Sequence, residues 1–281
     1  MKAFLFLITI SLTLAIAACS GNQTYNEPTP TPSPQAPLPD LDAFIKRMIT
    51  QDGCKDSTAN MHLVIEGSSA GNGELRFQLE RKYDATGVAT LLKVTFPPEE
   101  SDRPLLARER PDQATTAMSY LPGLKKVGRL GSDSQINFRE ARVTVQELLG
   151  LELGQYNHSA GERVNEKGEP AIKAELIQKP DRQLAFAKID AYFRERDGAP
   201  IRFDLYDGRG SVAKAVSIGE IKEIQGHRTV THVDIEDHTQ NLKLKLLTQA
   251  INYDRGLSEK LFTEENLISI VTQAAERTVA H

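Results

Sequence analysis

Beyond its first 40 residues the chain is dominated by apolar and polar residues that alternate with a period of two. In the clearest run, Leu75, Phe77 and Leu79 are separated by charged or amide residues. Comparable runs occupy residues 61–65, 88–96, 185–193, 201–205, 212–224, 229–237 and 241–251. Because successive side chains of a strand point to opposite faces of a sheet, the pattern predicts about ten half-buried strands. Gly-containing turns at 196–199 and 207–210 predict hairpins, so we expect an antiparallel sheet.

Three stretches have helical rather than strand periodicity. After Asp40, a favourable N-cap, apolar residues recur at positions 41, 44, 45, 48 and 49, and Gly53 marks a stop. Residues 143–153 also have a helical pattern. The segment from Thr263 begins with two acidic residues and continues with one apolar face. The sequence therefore predicts helices at the beginning, in the middle and at the end of one long sheet.

About ten strongly twisted strands tend to curl rather than lie flat. The predicted fold is mainly β with a few helices: a single, incompletely closed antiparallel β-barrel (a half-barrel), with helices covering its concave face. If the helices do not fill that face, an apolar cavity remains, whereas a fully packed core is the alternative that the alternation leaves open. The residues expected to contact an apolar ligand, from the sheet and from the first helix, are Leu41, Phe44, Ile45, Met48, Leu63, Ile65, Leu75, Phe77, Leu79, Leu92 and Val94.

The N-terminus has the features of an export signal. One cation, Lys2, precedes an uncharged, largely apolar run over residues 3–18, which is too short to span a bilayer and fits a signal peptide. The run ends in small residues before Cys19 and resembles the bacterial lipobox, which implies cleavage before Cys19 and lipid modification of that cysteine. An ordinary signal peptide cut after residue 17 or 18 is the alternative. With Cys19 acylated, Cys54 is the remaining thiol, and we expect it to be inert.

The segment after Cys19 is rich in Pro, Thr and Ser, a composition that favours extended, polyproline-like chain and cannot build a core. The predicted organisation is a lipoprotein signal peptide (1–18), a lipidated cysteine with a Pro-rich tether (19–39), the half-barrel domain (40–267) and a C-terminal helical tail (268–281). Ser20, rather than aspartate, follows the modified cysteine and favours export to the outer membrane. The expected location is the cell envelope, with a lipid anchor on the periplasmic face of that membrane.

Charge and motifs exclude several classes of function. Lys and Arg total 34 against 38 Asp and Glu, a net charge of −4, and no basic block is present, so a nucleic acid partner is not expected. No hydrolase, zinc-protease or nucleotide-binding motif is present, and we expect neither an enzyme nor a cofactor. His232, Asp234, Glu236 and His238 share one face of a continuous strand. Four side chains spread along extended chain cannot converge on one metal ion, so a polar outer face is the simpler interpretation.

The sequence SYLPGLKKVGRL at Ser119–Leu130, followed by a Ser/Asp-rich loop, resembles the signature of the outer-membrane lipoprotein-sorting protein family, the LolA-like group. Residues 256–263 resemble the terminal Phe-Thr segment of that family. The likeness extends over roughly residues 41–267. Met118-Ser119 stands where the family has tryptophan. The resemblance implies an open half-barrel that binds lipid, or the acyl chains of lipoproteins, on its concave face.

These observations favour a membrane-anchored carrier or acceptor of lipid or lipoprotein acyl chains that acts in lipid transport or outer-membrane sorting. In this hypothesis the 41–49 helix shifts to admit the chain. The alternative is an envelope protein-interaction subunit, accessory to a lipid-exporting membrane transporter. Lys125, Lys126 and Arg129 could face lipid phosphates or a partner, although a solvated strand edge is the simpler interpretation.

Overall fold

The computed structural model describes residues 37–67, 72–111, 113–138 and 141–279. The predicted signal peptide, Cys19 and nearly all of the predicted tether lie outside these residues. The strands are β1 (Asp56–Glu66), β2 (Gly73–Asp84), β3 (Gly87–Phe96), β4 (Leu105–Arg110), β5 (Gln113–Leu121), β6 (Lys126–Leu130), β7 (Gln135–Phe138), β8 (Ala141–Thr144), β9 (Tyr156–His158), β10 (Glu162–Glu166), β11 (Glu169–Gln178), β12 (Lys188–Arg194), β13 (Pro200–Tyr206), β14 (Val212–Ile224), β15 (His227–Asp237) and β16 (Leu242–Tyr253). The helices are α1 (Leu41–Ile49), α2 (Val145–Leu149) and α3 (Glu264–Val279).

One antiparallel sheet contains 14 of these strands, in the order β10-β11-β12-β13-β14-β15-β16-β1-β2-β3-β4-β5-β6, with β9 paired to β11. The terminal strands β10 and β6 do not pair, so the sheet curls without closing, which confirms the predicted half-barrel. The strand number exceeds the expected ten because several added strands are short, and the five residues of β10 lack a buried face. Strands β7 and β8 form a separate hairpin.

Helix α1 follows the sequence prediction. The Asp40 side chain accepts a hydrogen bond from the Ala43 amide (3.0 Å), which satisfies a free N–H of the first turn. Leu41, Phe44 and Ile45 are buried against the β12–β13 part of the sheet. The Phe44 ring lies 6.0 Å from that of Phe193. Helix α1 therefore covers one side of the concave face through an aromatic contact.

Helix α2 is much shorter than the predicted helical stretch over residues 143–153. Its start is fixed by a capping box, in which Thr144 and Glu147 satisfy each other's backbone amides. Its end is fixed by Gly150, which adopts φ 91°. The residues before the cap belong to β8, because they continue the β7–β8 hairpin. This hairpin and α2 together cover the concave face of β1–β5.

Helix α3 begins at Glu264, so it crosses the predicted domain boundary at 267, and Leu267 is fully buried. It packs with Phe262 against Leu91 and Leu106, whose neighbours Leu92 and Leu105 belong to the opposite, concave side of the sheet. The expectation that the helices cover the concave face therefore holds for α1 and α2 but is wrong for α3. Among the described residues, no helix combines the length and apolar character needed to cross a bilayer.

Candidate ligand-binding cavity

An apolar cavity of about 360 Å³ lies between α1, residues 143–151 around α2 (the α2 segment) and the concave face of the sheet. Its volume lies within the range of protein cavities that hold small ligands, roughly 300–1,000 Å³. We refer to β15, β16 and β1, which form the middle of the sheet, as the central strands. They line the cavity with Ala59, Met61, Leu63, Val230, Val233, Ile235, Leu244, Leu246, Thr248 and Ile251.

Several apolar side chains of the central strands are only half-buried, although they lie on the inner face. Met61, Val233, Ile235 and Leu246 all show this partial exposure. Protein atoms therefore do not fill the space in front of them. Moving one methylene group from water onto such a surface is favourable by about 0.8 kcal/mol. The cavity is chemically suited to a flexible apolar chain.

The structure divides the 11 residues predicted to contact ligand into two groups. Phe44, Met48, Leu63, Phe77 and Leu79 line the cavity. The remaining six are Leu41, Ile45, Ile65, Leu75, Leu92 and Val94, which are buried in the packed clusters beside the cavity. Ligand contact stays a prediction for the first group, and the second group is covered by protein in this conformation.

Sequence analysis missed two sets of lining residues. One set comes from β15 and β16, including Val233 and Leu246, where alternation was recognised without assignment of the inner face. The other comes from the α2 segment and includes Val143, Leu148 and Leu151. The sequence pattern of this segment is ambiguous, because a short strand followed by a five-residue helix contains as many apolar residues as one longer helix would.

Two basic side chains hold α2 above the cavity. Arg81 of β2 donates from Nη2 to the carbonyl oxygen of Leu149 at the end of the helix (2.8 Å). Lys214 of β14 is buried and contacts Glu147 Oε1 (2.7 Å) and Asp237 Oδ2 (2.9 Å). Since β14 and β2 are separated by the three central strands, α2 bridges the concave face rather than lying along one strand.

The buried carboxylate of Asp237 is compensated by the groups around it, so the Lys214 end of the bridge holds no unpaired charge. Burial alone would raise the pKa of Asp237, but hydrogen bonds from Lys214, Thr239 and Gln240 outweigh it and hold the pKa below its usual value. The carboxylate therefore stays ionised beside the Lys214 ammonium group. Removing that ammonium group would leave buried negative charge uncompensated.

Glu109 lies in the electrostatic surroundings of both Arg81 and a second acidic group, Glu152. Burial raises the pKa of Glu109 to about 8; Arg81 opposes this rise and Glu152 reinforces it. Burial also raises the pKa of Glu152, against hydrogen bonds from Thr115 and Ser132. Near neutral pH Glu109 therefore retains much of its proton, and the interior beside Arg81 is less negative than the residue types suggest.

Helix α1 is attached to the sheet at the turn between β12 and β13. Arg47 Nη2 donates to the carbonyl oxygen of Asp197 (2.9 Å). A Cβ atom on the next residue, Gly198, would lie 2.3 Å from the Phe44 ring, and Gly198 also has φ +67°. Glycine is therefore required both by the backbone conformation and by the close approach of α1.

The basic residues of the LolA-like signature lie at an edge of the sheet. Lys125 follows β5 in the connecting loop, and Lys126 and Arg129 lie on β6, the last strand in the sheet order. All three side chains are exposed. This placement favours the interpretation of a solvated strand edge and puts these residues outside the cavity lining.

The other residues considered for chemistry lie on and after β15 and at Cys54. His232 Nε2 lies 3.2 Å from Asp234 Oδ1 on the strand face opposite Val233. His238 lies beyond the end of β15. No group of three or more His, Cys, Asp or Glu side chains in the described part of the chain is arranged to hold a metal ion. Burial raises the pKa of the Cys54 thiol to about 12, with Asp254 and Asp56 adding to the rise, so the thiol stays protonated near neutral pH.

Comparison with known proteins identifies relatives by family and by fold. A family model described only as being like an uncharacterized protein matches residues 87–269. No curated protein sequence matches the chain.

Three solved structures share the fold. A domain from Vibrio parahaemolyticus described as an outer-membrane lipoprotein-sorting protein has 17% identity and a TM-score of 0.70, covering 82% of this chain and 100% of that domain. A DUF1329 family protein from Desulfovibrio piger has 19% identity and a TM-score of 0.72, and the match covers 81% of this chain and 97% of that protein. A LolA superfamily protein from Nitrosomonas europaea has 16% identity and a TM-score of 0.68, and the match covers 80% of this chain and 98% of that protein. At these identities the likeness shows a LolA-like fold.

Proposed function

The chain belongs to the family of uncharacterized proteins whose model matches residues 87–269, and from this premise and its LolA-like fold we propose that it is a non-enzymatic envelope lipoprotein that carries acyl chains. The ligand is a lipid, or the acyl part of a lipoprotein, and the process is lipid transport or outer-membrane sorting. The observation that carries the proposal is the cavity of about 360 Å³ lined by half-buried apolar side chains.

The mechanism is sequestration. An acyl chain that leaves a membrane would expose its methylene groups to water, and the central strands offer an apolar surface in place of that water. Helices α1 and α2 cover the cavity through a few polar contacts each, including Arg47 to Asp197 and Arg81 to Leu149. Apolar residues of both helices, among them Phe44 of α1 and Leu149 of α2, are also buried, so entry and release need the helices to give up these contacts as well, while the strand pairing stays intact.

The anchor is a separate part of the proposal. Lipid on Cys19, followed by the Pro-rich tether, keeps the domain within reach of one membrane. Metabolic labelling with a fatty acid analogue is expected to mark the wild-type chain at Cys19 and to leave Cys19→Ala unmarked. Equal labelling of both proteins would refute lipidation at that residue.

Cavity binding can be tested with two substitutions on neighbouring residues of β16. Leu246→Trp places an indole in the cavity, whereas Leu247→Trp places the same group on the opposite face of the same strand. The full chain in phosphatidylcholine nanodiscs is irradiated with a 16-carbon fatty acid that carries a photoreactive diazirine, and crosslinked peptides are identified by mass spectrometry. If the indole of Leu246→Trp displaces about two methylene groups of the fatty acid, binding of the fatty acid should weaken by about tenfold.

We expect crosslinks on cavity-lining peptides of the wild type, a loss of about tenfold in Leu246→Trp, and no comparable loss in Leu247→Trp. Circular dichroism checks that both variants are folded. If the wild type gives no crosslinks in the cavity, or if both variants behave alike, the carrier function is refuted. The alternative of an interaction subunit does not require a hollow concave face and predicts that neither substitution matters for lipid.

A further inference from the structure

The cavity is polar at one end and apolar at the other. Its floor on β1 runs from Ser57 to Leu63, roughly 20 Å of extended chain, so one head group cannot reach both ends. Arg47 and Arg228 line the polar end, where both donate to the carbonyl oxygen of Asp197, at 2.9 and 3.0 Å. The other polar lining residues at this end are Gln51, Ser57, Arg81 and Thr229. The opposite end has an apolar lining of Leu63, Phe203, Val216, Ile235, Leu244 and Leu246.

A hydrogen-bonded network holds the polar end in place. The Tyr83 hydroxyl donates to Gln51 Oε1, and Gln51 Nε2 donates to the Tyr253 hydroxyl oxygen (2.9 Å). The Tyr253 hydroxyl is also hydrogen-bonded to Thr229 Oγ1 (2.7 Å). Because Tyr83 lies on β2, Tyr253 on β16 and Thr229 on β15, the network spans the central strands. The polar groups at this end are therefore fixed before a ligand arrives.

Arg81 adds a cationic donor to this end. Its Nη2 donates to the Leu149 carbonyl oxygen, but its Nε–H is buried and has no acceptor among the described residues. In the same part of the chain no carboxylate forms an ion pair with Arg81. Ser57 and Thr90, directly opposite it on the neighbouring strands, are uncharged. A buried donor without an acceptor is costly, so an oxygen atom brought to this end would stabilise it.

The ionisable groups around Arg81 hold their protons near neutral pH. The charge of Arg81 acts on Glu109, Tyr83 and Cys54. Burial raises the pKa of Glu109 to about 8, and it raises the pKa of the Tyr83 hydroxyl and that of the Cys54 thiol to about 12. The guanidinium group therefore faces mainly neutral partners.

Glu147 is an acidic residue that lines the cavity towards its apolar end, and both its carboxylate oxygens have partners. Its Oε1 lies 2.7 Å from Lys214 Nζ. Its Oε2 accepts from the amide and the hydroxyl of Thr144, at 2.8 and 2.9 Å. Glu147 therefore leaves the chemical difference between the two ends intact, because its charge is already compensated by protein groups.

We propose that the cavity binds its acyl chain in one orientation, with the acyl oxygens, of a carboxylate or an ester, beside Ser57 and Arg81 and the methyl end beside Leu244. The inference rests on the proposed carrier function and adds the ligand class and its direction. A guanidinium group presents five N–H donors in a planar fork that fits either pair of oxygens. When the α2 segment moves to admit the chain, the Leu149 carbonyl leaves Arg81 and the ligand oxygens take its place.

The test uses 16-carbon probes crosslinked to the full chain in phosphatidylcholine nanodiscs, with empty nanodiscs correcting for partition. Two fatty acids carry the diazirine either near the carboxylate or near the methyl end. Two further probes carry it near the methyl end, and one has a methyl ester while the other is a hydrocarbon without oxygen. The variants are Ser57→Ala and Arg81→Gln. The matched control is Arg76→Gln, which removes a half-exposed arginine from the opposite face of the same strand.

We expect the diazirine near the carboxylate to mark residues around Ser57 and Arg81, and the diazirine near the methyl end to mark residues around Leu63 and Leu244. The wild type should prefer the acid or the ester over the hydrocarbon by about tenfold, as charge-assisted hydrogen bonds allow. Arg81→Gln loses this preference and retains the hydrocarbon, Ser57→Ala loses part of it, and Arg76→Gln behaves as wild type. The larger preference identifies the ligand as an acid or an ester.

Contrary results separate the inference from the function on which it rests. The same marked residues for both fatty acids, or a reversed pattern, would refute the orientation and leave the carrier function. Equal loss of all probes in folded Arg81→Gln, with Ser57→Ala unchanged, would mean that Arg81 only holds α2. Failure of the wild type to bind any probe refutes the carrier function together with the inference.

Discussion

The central strands and the strands β2–β4 beside them carry the same alternation of apolar and polar residues but differ in how their inner faces are covered. On β2 and β3, Leu75 and Leu92 are each 1% exposed. On β15 and β16, Val233 and Leu246 are only half-buried. The residue types are equivalent, so the difference does not come from the strands themselves.

The difference comes from what lies above each part of the sheet. The β7–β8 hairpin brings Phe138, Ala141 and Val143 onto the side of β2–β4, where they join the packed cluster of Leu75 and Leu92. Above the central strands α2 forms only a bridge, held at both sides by Lys214 and Arg81. Alternation therefore determines which face is apolar, and the covering elements determine whether that face becomes core or cavity.

The largest effect on this contrast is expected from removing the Lys214 end of the bridge. Lys214→Met leaves Glu147 and Asp237 without their buried cation, and breaking such a pair typically costs about 3–5 kcal/mol. Urea unfolding of the full chain measures the loss. Hydrogen exchange of residues 145–149 should become faster than exchange in the strands.

The matched control is Lys245→Met, which removes a lysine that pairs with Glu66 on the more exposed side of β16 (2.8 Å). Because this pair is well solvated, we expect little change in unfolding. Equal destabilisation by the two substitutions, with no faster exchange in α2, would show that Lys214 does not hold the bridge.

A second prediction compares the two parts of the sheet with one type of substitution. Leu92→Ala removes a fully buried side chain and is expected to lower the free energy of unfolding by about 2–5 kcal/mol. Leu246→Ala removes a half-buried side chain that already faces empty space, so its effect should be less than half as large. Urea unfolding measures both, and similar losses would mean that the inner face of β16 is packed in solution.

Sequence patterns predict helix α1 and the apolar faces of several strands, because these depend on local periodicity and on capping, whereas the open sheet is expected from the number and twist of the strands. Asp40 and the apolar positions 41, 44 and 45 defined α1 without reference to the rest of the chain. The run Leu75, Phe77 and Leu79 likewise defined one inner face, although Leu75 is packed and the other two line the cavity.

The cavity itself depends on contacts that the sequence does not encode locally. Leu246 faces the cavity because it pairs with Leu63 on one side and Val233 on the other, and a shift of one residue would reverse its face. The Asp197 carbonyl that joins Arg47 and Arg228 likewise belongs to a turn far from both in sequence. Patterns of period two or 3.6 carry no information on such pairings.

A pH-dependent effect is predicted for Glu109 on β4, a polar exception in the well-covered part of the sheet. Its folded-state pKa of about 8 lies above the ordinary value of 4.5, so between these values the folded chain holds a proton that the unfolded chain releases. The free energy of unfolding should therefore fall as pH rises through this window, with a slope of at most about 1.4 kcal/mol per pH unit from this group. Glu109→Gln cannot titrate and should flatten the dependence measured by urea unfolding between about pH 5 and pH 8. Parallel curves for the two proteins would mean that the Glu109 carboxyl is solvated, and that water reaches behind Arg81 on the covered side of the sheet as well as into the cavity.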